Sequence, residues 1–302
     1  MKKIVFTCVI LFIIAYSFFF PETTVRAANN GIQMWFHQIL PALLPFTIIS
    51  SILVKSDFLK SFKGNANLIA CLLTMSCGFV FGFPVGAKLS ADFYKQKLLS
   101  KKQATVLAIG TNNFSPMYVC GFALSLLFTS NEYNTVTYIL LYLVPLIFVS
   151  IYLVFLNIKK TSTSITPFYL DMHIMDSSII SGFESLIKIC GYIVLFSIAT
   201  EILMTTITEI LIQPPFSLTL LLGNLEITNG IHLLSEFEIT ESLKYIVAIQ
   251  LLSFGGLSGI AQTGSILSEA GLSMHKYIIG KAALSLLLTL LSVIYVFFIR
   301  SL

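Results

Sequence analysis

Gly78-Phe79-Val80-Phe81-Gly82-Phe83-Pro84-Val85-Gly86-Ala87-Lys88 closes an apolar run that begins at Leu68. Its glycines, proline and lysine make the run too short and too broken for an ordinary membrane-spanning helix, which needs about 20 apolar residues in succession. Glycine lacks a Cβ and permits φ > 0, while proline removes a donor and turns the preceding residue away from helix. Inside a bilayer such a break leaves N–H and C=O groups that protein, water or a ligand must take up. The stretch reads as the tip of a re-entrant hairpin.

The surroundings make it a membrane protein. Hydrophobic residues are 56% of the chain and charged residues 11%, against roughly a quarter charged in a soluble domain. The net charge of +4 comes from lysines between apolar runs, with no arginine-rich patch, so nucleic acid is not an expected partner and the lipid bilayer is. Cys8, Cys71, Cys77, Cys120 and Cys190 all lie in apolar runs without a CxxC pair and read as small buried hydrophobes. His37, His173, His232 and His275 have no metal-ligand spacing, and no cofactor is expected.

Around the hairpin the chain divides into spans. Met1-Lys2-Lys3 ahead of Ile4–Phe20 reads as a signal peptide with Ala27-Ala28 as a loose cleavage site, or as a retained first span. The length of the run and the stop at Pro21-Glu22 favour the span. Ile32–Val54 follows, kinked at Pro41 and Pro45. Gln103–Phe128 is long enough to cross but is interrupted by Gly110-Thr111-Asn112-Asn113-Phe114-Ser115-Pro116, a broken helix lining a polar cavity. Thr135–Leu156 crosses back, and residues 161–181 form a polar cytoplasmic linker. Gly182–Ile212 is the next span, Phe216–Leu234 carries Gly223-Asn224-Leu225-Glu226-Ile227-Thr228-Asn229-Gly230, and Tyr277–Ile299 is the last. Between them, Tyr245–Leu267 contains Phe254-Gly255-Gly256-Leu257-Ser258-Gly259-Ile260-Ala261-Gln262, which reads as a second hairpin.

Phe81-Gly82-x-x-x-Gly86 and Phe254-Gly255-x-x-x-Gly259 share one shape, and at that offset Leu99-Ser100 falls on Leu272-Ser273. Gly31–Leu53 also lines up with Gly182–Leu203, at a smaller offset. The expected organisation is a transmembrane anchor at residues 1–30, a first repeat at 31–160, the linker at 161–181 and a second repeat at 182–302. With both hairpins returning to their own side, and with Phe216–Leu234 also returning to the outer side, one face carries Lys2, Lys3, Lys55, Lys60, Lys63, Lys88, Lys95, Lys97, Lys101, Lys102, Lys159, Lys160, Lys188 and Arg300. The other carries Arg26, Lys244, Lys276 and Lys281. The first face is cytoplasmic by the positive-inside rule, and the two halves are inverted relative to each other.

These residues carry a resemblance. Trp35…Leu40-Pro41-Ala42-Leu43-Leu44-Pro45-Phe46, Gly82-Phe83-Pro84-Val85-Gly86-Ala87-Lys88, Asn112-Asn113-Phe114-Ser115-Pro116, Glu226-Ile227-Thr228-Asn229-Gly230 and Phe254-Gly255-Gly256-Leu257-Ser258 occur in an order that resembles the nucleoside-recognition (Gate) domain membrane proteins. Within them the chain is similar to the YlbJ-like branch of sporulation integral membrane proteins. Gly259-Ile260-Ala261-Gln262 matches more loosely, with Gln262 in place. The resemblance implies an all-α integral membrane protein with two inverted repeats, each holding a re-entrant helical hairpin and a broken helix, as in concentrative nucleoside transporters. It also implies a link to moving dipicolinic acid, or a nucleoside-like solute, in the forespore-surrounding membrane of an endospore former.

The candidate substrate-binding set is Gly82, Phe83, Pro84, Gly86, Lys88, Asn112, Asn113, Ser115, Glu226, Thr228, Asn229, Gly255, Gly256, Ser258 and Gln262. Hairpin tips present N–H groups and helix N-termini, which suit an anion. Lys88 either adds a positive charge there or marks the cytoplasmic boundary and snorkels. Asn112, Asn113 and Ser115 line a polar cavity or make helix-packing hydrogen bonds. Glu226, an ionisable group within a membrane segment, is the natural site for coupling to H+ or Na+, unless its segment is wetted near the outer surface. The favoured function is a gradient-driven or facilitative transporter of a small polar or anionic metabolite. The alternative is a non-transporting scaffold with a membrane partner or as a homo-oligomer, in sporulation or envelope remodelling. No GxxxxGK[ST], HExxH or GxSxG motif and no paired intramembrane aspartates support an ATPase or an intramembrane enzyme.

Overall fold

The computed structural model describes residues 2–58, 65–155, 168–210 and 215–299, and every regular element among them is helical. Lys60, Lys63, Lys159, Lys160, Arg300 and linker residues 161–167 lie outside that set. Helix α1 is Lys2–Phe19. Helix α2 runs over 21–55 and widens into a π turn at Trp35–Ile39. That turn lies directly before Pro41, which has no N–H to close an i→i−4 bond.

Helices α3 (Ala66–Phe81) and α4 (Val85–Lys95) flank the Gly82-Phe83-Pro84 break, where the Phe83–Pro84 peptide is cis. Helix α5 (Lys101–Thr111) starts with a capping box, the Ser100 hydroxyl accepting from the Gln103 N–H and the Gln103 side chain from the Ser100 N–H. The chain then breaks at Asn112–Ser115 and resumes as α6 over 116–127. Helix α7 is Asn134–Phe155 and α8 is Met172–Ile210, so α8 takes up residues 172–181, expected as linker. Helices α9 (Phe216–Leu225) and α10 (Ile227–Glu236) meet at Glu226, and α11 (Glu241–Phe254) and α12 (Gly256–Glu269) meet at Gly255. Met274–Phe298 is α13.

Four stretches of the described residues are long and apolar enough to cross a bilayer: α7, Met172–Ile207 of α8, Glu241–Glu269, and α13. Helix α2 lies antiparallel along α8. Arg26 pairs with Glu201 at 2.7 Å, the Trp35 indole N–H donates to the Leu186 carbonyl at 2.9 Å, and Lys55 Nζ donates to Ser181 Oγ at 2.8 Å.

Two elements turn back on themselves. Asn67 Nδ2 donates to the Leu98 carbonyl and Gln96 Nε2 to the Val54 carbonyl, both at 2.6 Å. The start of α3, the end of α4 and the end of α2 therefore share one end of the molecule, and α3–α4 is a helical hairpin. The second hairpin is α9–α10, where the Phe216 and Phe237 rings meet edge-on with centroids 5.6 Å apart. Its arms touch so closely that a Cβ on Gly230 would lie 2.1 Å from the Gly223 Cα.

This corrects the sequence reading. The stretch Phe254–Gln262 is a break within a crossing, because α11 and α12 continue in one direction across left-handed Gly255 (φ 85°). Gly82 and Gly255, matched by their motifs, thus sit in elements of different kinds. The tip of the second hairpin is Glu226. Crossing by α11–α12 also moves Lys276 to the face of Lys55, Lys95, Lys101 and Lys188, leaving Arg26 and Lys244 opposite. Lys281 belongs to neither face, since it is 2% exposed within α13.

Buried apolar side chains among the described residues form two clusters. The larger joins α3–α7 with α9–α13, and a small one of Leu43, Leu186, Ile189 and Ile193 joins α2 to α8. The cavities described next lie along the seam between them.

Candidate functional site

The four breaks meet in pairs and then all together. The Phe83 N–H donates to the Asn113 carbonyl at 2.6 Å, so the first hairpin tip closes on the break between α5 and α6. Gly82 has φ 73°, and a Cβ there would lie 2.4 Å from the Ser115 nitrogen. A Cβ on Gly86 would lie 2.6 Å from the Thr111 carbonyl oxygen. In the other pair, Gly256 (φ 69°) faces the Leu225 carbonyl, at 3.4 Å from a would-be Cβ, so the break at Gly255 closes on Glu226. The pairs touch where Tyr118 OH and Thr228 Oγ1 are hydrogen-bonded at 3.1 Å and where Asn112 Nδ2 donates to Thr263 Oγ1 at 2.9 Å.

Between the pairs and the α2–α8 wall lies a cavity of about 670 Å³. Of the expected site residues, Phe83, Ser115, Glu226, Thr228, Gly255, Ser258 and Gln262 line it. Phe114, Tyr118 and Phe122 add aromatic walls, and Met34, His37, Ile189 and Ile193 close the far side. Among the described residues, no lysine or arginine borders it. Glu226 is 4% exposed and caps α10, its Oε2 accepting from the Asn229 N–H at 2.9 Å. It is buried in the wall of the cavity. Ser115 caps α6, accepting from the Tyr118 N–H at 3.3 Å. The N-terminus of α12 has no side-chain cap. Gln262 Nε2 donates to Ser258 Oγ at 3.0 Å, while Gln262 Oε1 has no hydrogen-bond partner among the described residues.

The remaining expected residues build the breaks rather than the lining. Gly82, Gly86 and Gly256 allow the close approaches, Pro84 directly precedes α4, and Asn229 contributes its backbone N–H. Asn113 Nδ2 donates to the carbonyls of Gly110 at 2.8 Å and Leu141 at 3.2 Å. Lys88 lies outside the cavity and donates to Ser185 Oγ at 2.9 Å. It borders a second cavity of about 220 Å³ with Lys55, Asp92, Lys95, Glu184, Lys188 and Glu269.

This charged mouth meets the larger cavity at Gln262 and Ile189. One face of α12 lines both, with Gly255, Ser258, Gly259 and Gln262 inside and Ser265, Ile266 and Glu269 at the mouth, at spacings of three and four residues. The Lys188–Glu269 pair at 2.6 Å ties α8 to α12 there.

Lys281, like Lys276, was misplaced by sequence reasoning. Its Nζ donates to the Asn112 carbonyl at 2.8 Å and to Asn113 Oδ1 at 2.6 Å. Tyr277, one turn earlier, accepts from Asn112 Nδ2 at 3.0 Å. The signal was present: a lysine seven residues into an apolar 25-residue stretch is too deep to be a loop charge. The hydroxyls of Tyr118, Tyr277 and Thr263 had no such signal, since nothing in their spacing says which break they reach.

Among proteins of known identity, the chain is similar to the sporulation integral membrane protein YlbJ of Bacillus subtilis (strain 168). The two are 25% identical over 90% of this chain and 77% of that protein. With four crossing-length helices, that similarity decides the class. The chain is a multi-pass membrane protein. No family model matches it, and no solved structure does.

Proposed function

We propose that the chain is a transporter carrying a small metabolite through the 670 Å³ cavity, in a process linked to sporulation. The observation that carries this reading is the meeting of four interrupted helices around one cavity, the arrangement in which secondary transporters place their substrate sites. The similarity to a sporulation membrane protein supports the setting. The order of long helix, hairpin, broken crossing and crossing occurs over 21–155 and again over 172–299, which supports a duplicated, inverted, Gate-like architecture. Placement of both cavities on the seam between the two apolar clusters supports access by movement of the α2–α8 pair against the rest.

The lining narrows the substrate. Aromatic walls suit a flat ring, such as dipicolinate or a nucleobase. An anionic group in this cavity meets Glu226 and the N-terminal ends of α6, α10 and α12, with no lysine to offset the carboxylate. It is accommodated when Glu226 carries a proton, which makes H+ the coupling ion of this reading.

Uptake of labelled dipicolinate and of a nucleoside into proteoliposomes tests it. Uptake of one of them above empty liposomes is expected. If the anion is the cargo, its rate rises as the medium is acidified, and Glu226→Gln abolishes that pH dependence while keeping an oxygen to cap α10. No uptake of either, with a membrane partner co-purifying, would replace the transporter with a scaffold.

A further inference from the structure

Lys281 carries a buried amine that the transport reading does not use. It is 2% exposed, in an apolar crossing, and no carboxylate among the described residues pairs with it. An ammonium without water or a counter-ion is costly unless its donors are well placed.

Here the acceptors are two oxygens of one helix break, the Asn112 main-chain carbonyl and Asn113 Oδ1. The surrounding bonds fix both. Asn113 turns its amide nitrogen to the carbonyls of Gly110 and Leu141, which leaves Oδ1 directed at Lys281. Asn112 is held through its own amide nitrogen by Thr263 and Tyr277. The ammonium also lies at the C-terminal end of α5, where unpaired carbonyls and the helix dipole favour positive charge. Carbonyl and amide oxygens at a helix end are the donor set that binds a hard monovalent cation in broken-helix membrane proteins.

We propose that the Asn112–Asn113 break is a monovalent-cation site occupied by the protein's own Lys281 ammonium. The tethered charge keeps α5, α6 and α13 in register, so that the break needs no metal ion. This holds whether or not the chain transports anything. Truncating Lys281 converts the break into a site for a small free ammonium ion.

The test is thermal unfolding of the purified full chain in nanodiscs. Wild-type Tm is expected to be unchanged when NaCl is replaced by choline chloride at equal ionic strength. Lys281→Ala lowers Tm, and methylammonium chloride restores most of the loss where choline chloride does not. Lys281→Met lowers Tm with no response to methylammonium, because its side chain fills the space without charge. A Lys281→Met protein as stable as wild type would overturn the proposal, and so would a wild-type Tm that depends on Na+. Should Lys281→Ala fail to accumulate, Asn113→Leu and Lys281→Met, singly and combined, decide. The proposal predicts a double variant clearly more stable than the summed single losses, and strictly additive losses would refute it.

Discussion

At the scale of residues, the breaks are held by close approaches that tolerate no added atom. Gly86 is the clearest, since a Cβ there would lie 2.6 Å from the Thr111 carbonyl oxygen, and backbone on both sides cannot yield. Gly86→Ala should cost about 1–3 kcal/mol, the range for overpacking a tight contact, and lower Tm in nanodiscs. Gly271 is the control: its φ is 72° but nothing lies within 4 Å of a Cβ, so Gly271→Ala should cost only about 1–2 kcal/mol of left-handed backbone strain. That Glu226 sits at the cavity was legible because a carboxylate in an apolar run is too costly to face lipid. Lys281 was equally legible in principle. It was hidden by assigning the preceding glycine motif to a hairpin, which reversed the direction of the last helix and put this lysine near a boundary.

Elements show why that happened. A Gly-Gly or Gly-Phe-Pro sequence marks where a helix stops, but not whether the chain then turns back. What decides is the arms. Helices α9 and α10 pack through Gly223 and Gly230 and return, whereas α11 and α12 have no such contact and run on as one 29-residue crossing. Neither outcome can be read from the break alone. Cysteine labelling checks the corrected topology in a cysteine-free background: Lys276→Cys should react from the same face as Lys101→Cys, and Lys244→Cys from the opposite one. The same scale governs the mouth. Lys188 and Glu269 join α8 to α12, but their side chains are 56% and 52% exposed. A double-mutant cycle on unfolding should therefore give a coupling of no more than about 1 kcal/mol, shrinking as salt is added.

For the described residues as a whole, two helical hairpins and two interrupted helices border the larger cavity, while α2 and α8 form a separate wall. The sequence told that interruptions exist in both halves and that they are polar. It did not tell which break touches which, since contacts such as Tyr118 to Thr228 and Phe83 to Gly259 join residues more than a hundred positions apart. The account rests on that convergence, and one crosslinking measurement tests it directly. A cysteine-free chain carrying Phe83→Cys and Gly259→Cys, in native membranes, is treated with a short bifunctional thiol reagent and examined by mass spectrometry. A Cβ on Gly259 would lie 4.0 Å from the Phe83 ring. An intramolecular crosslink in high yield, absent when Lys244→Cys replaces Gly259→Cys, is the predicted result. Failure of the pair to crosslink, while each single cysteine still reacts with a monofunctional reagent, would contradict it.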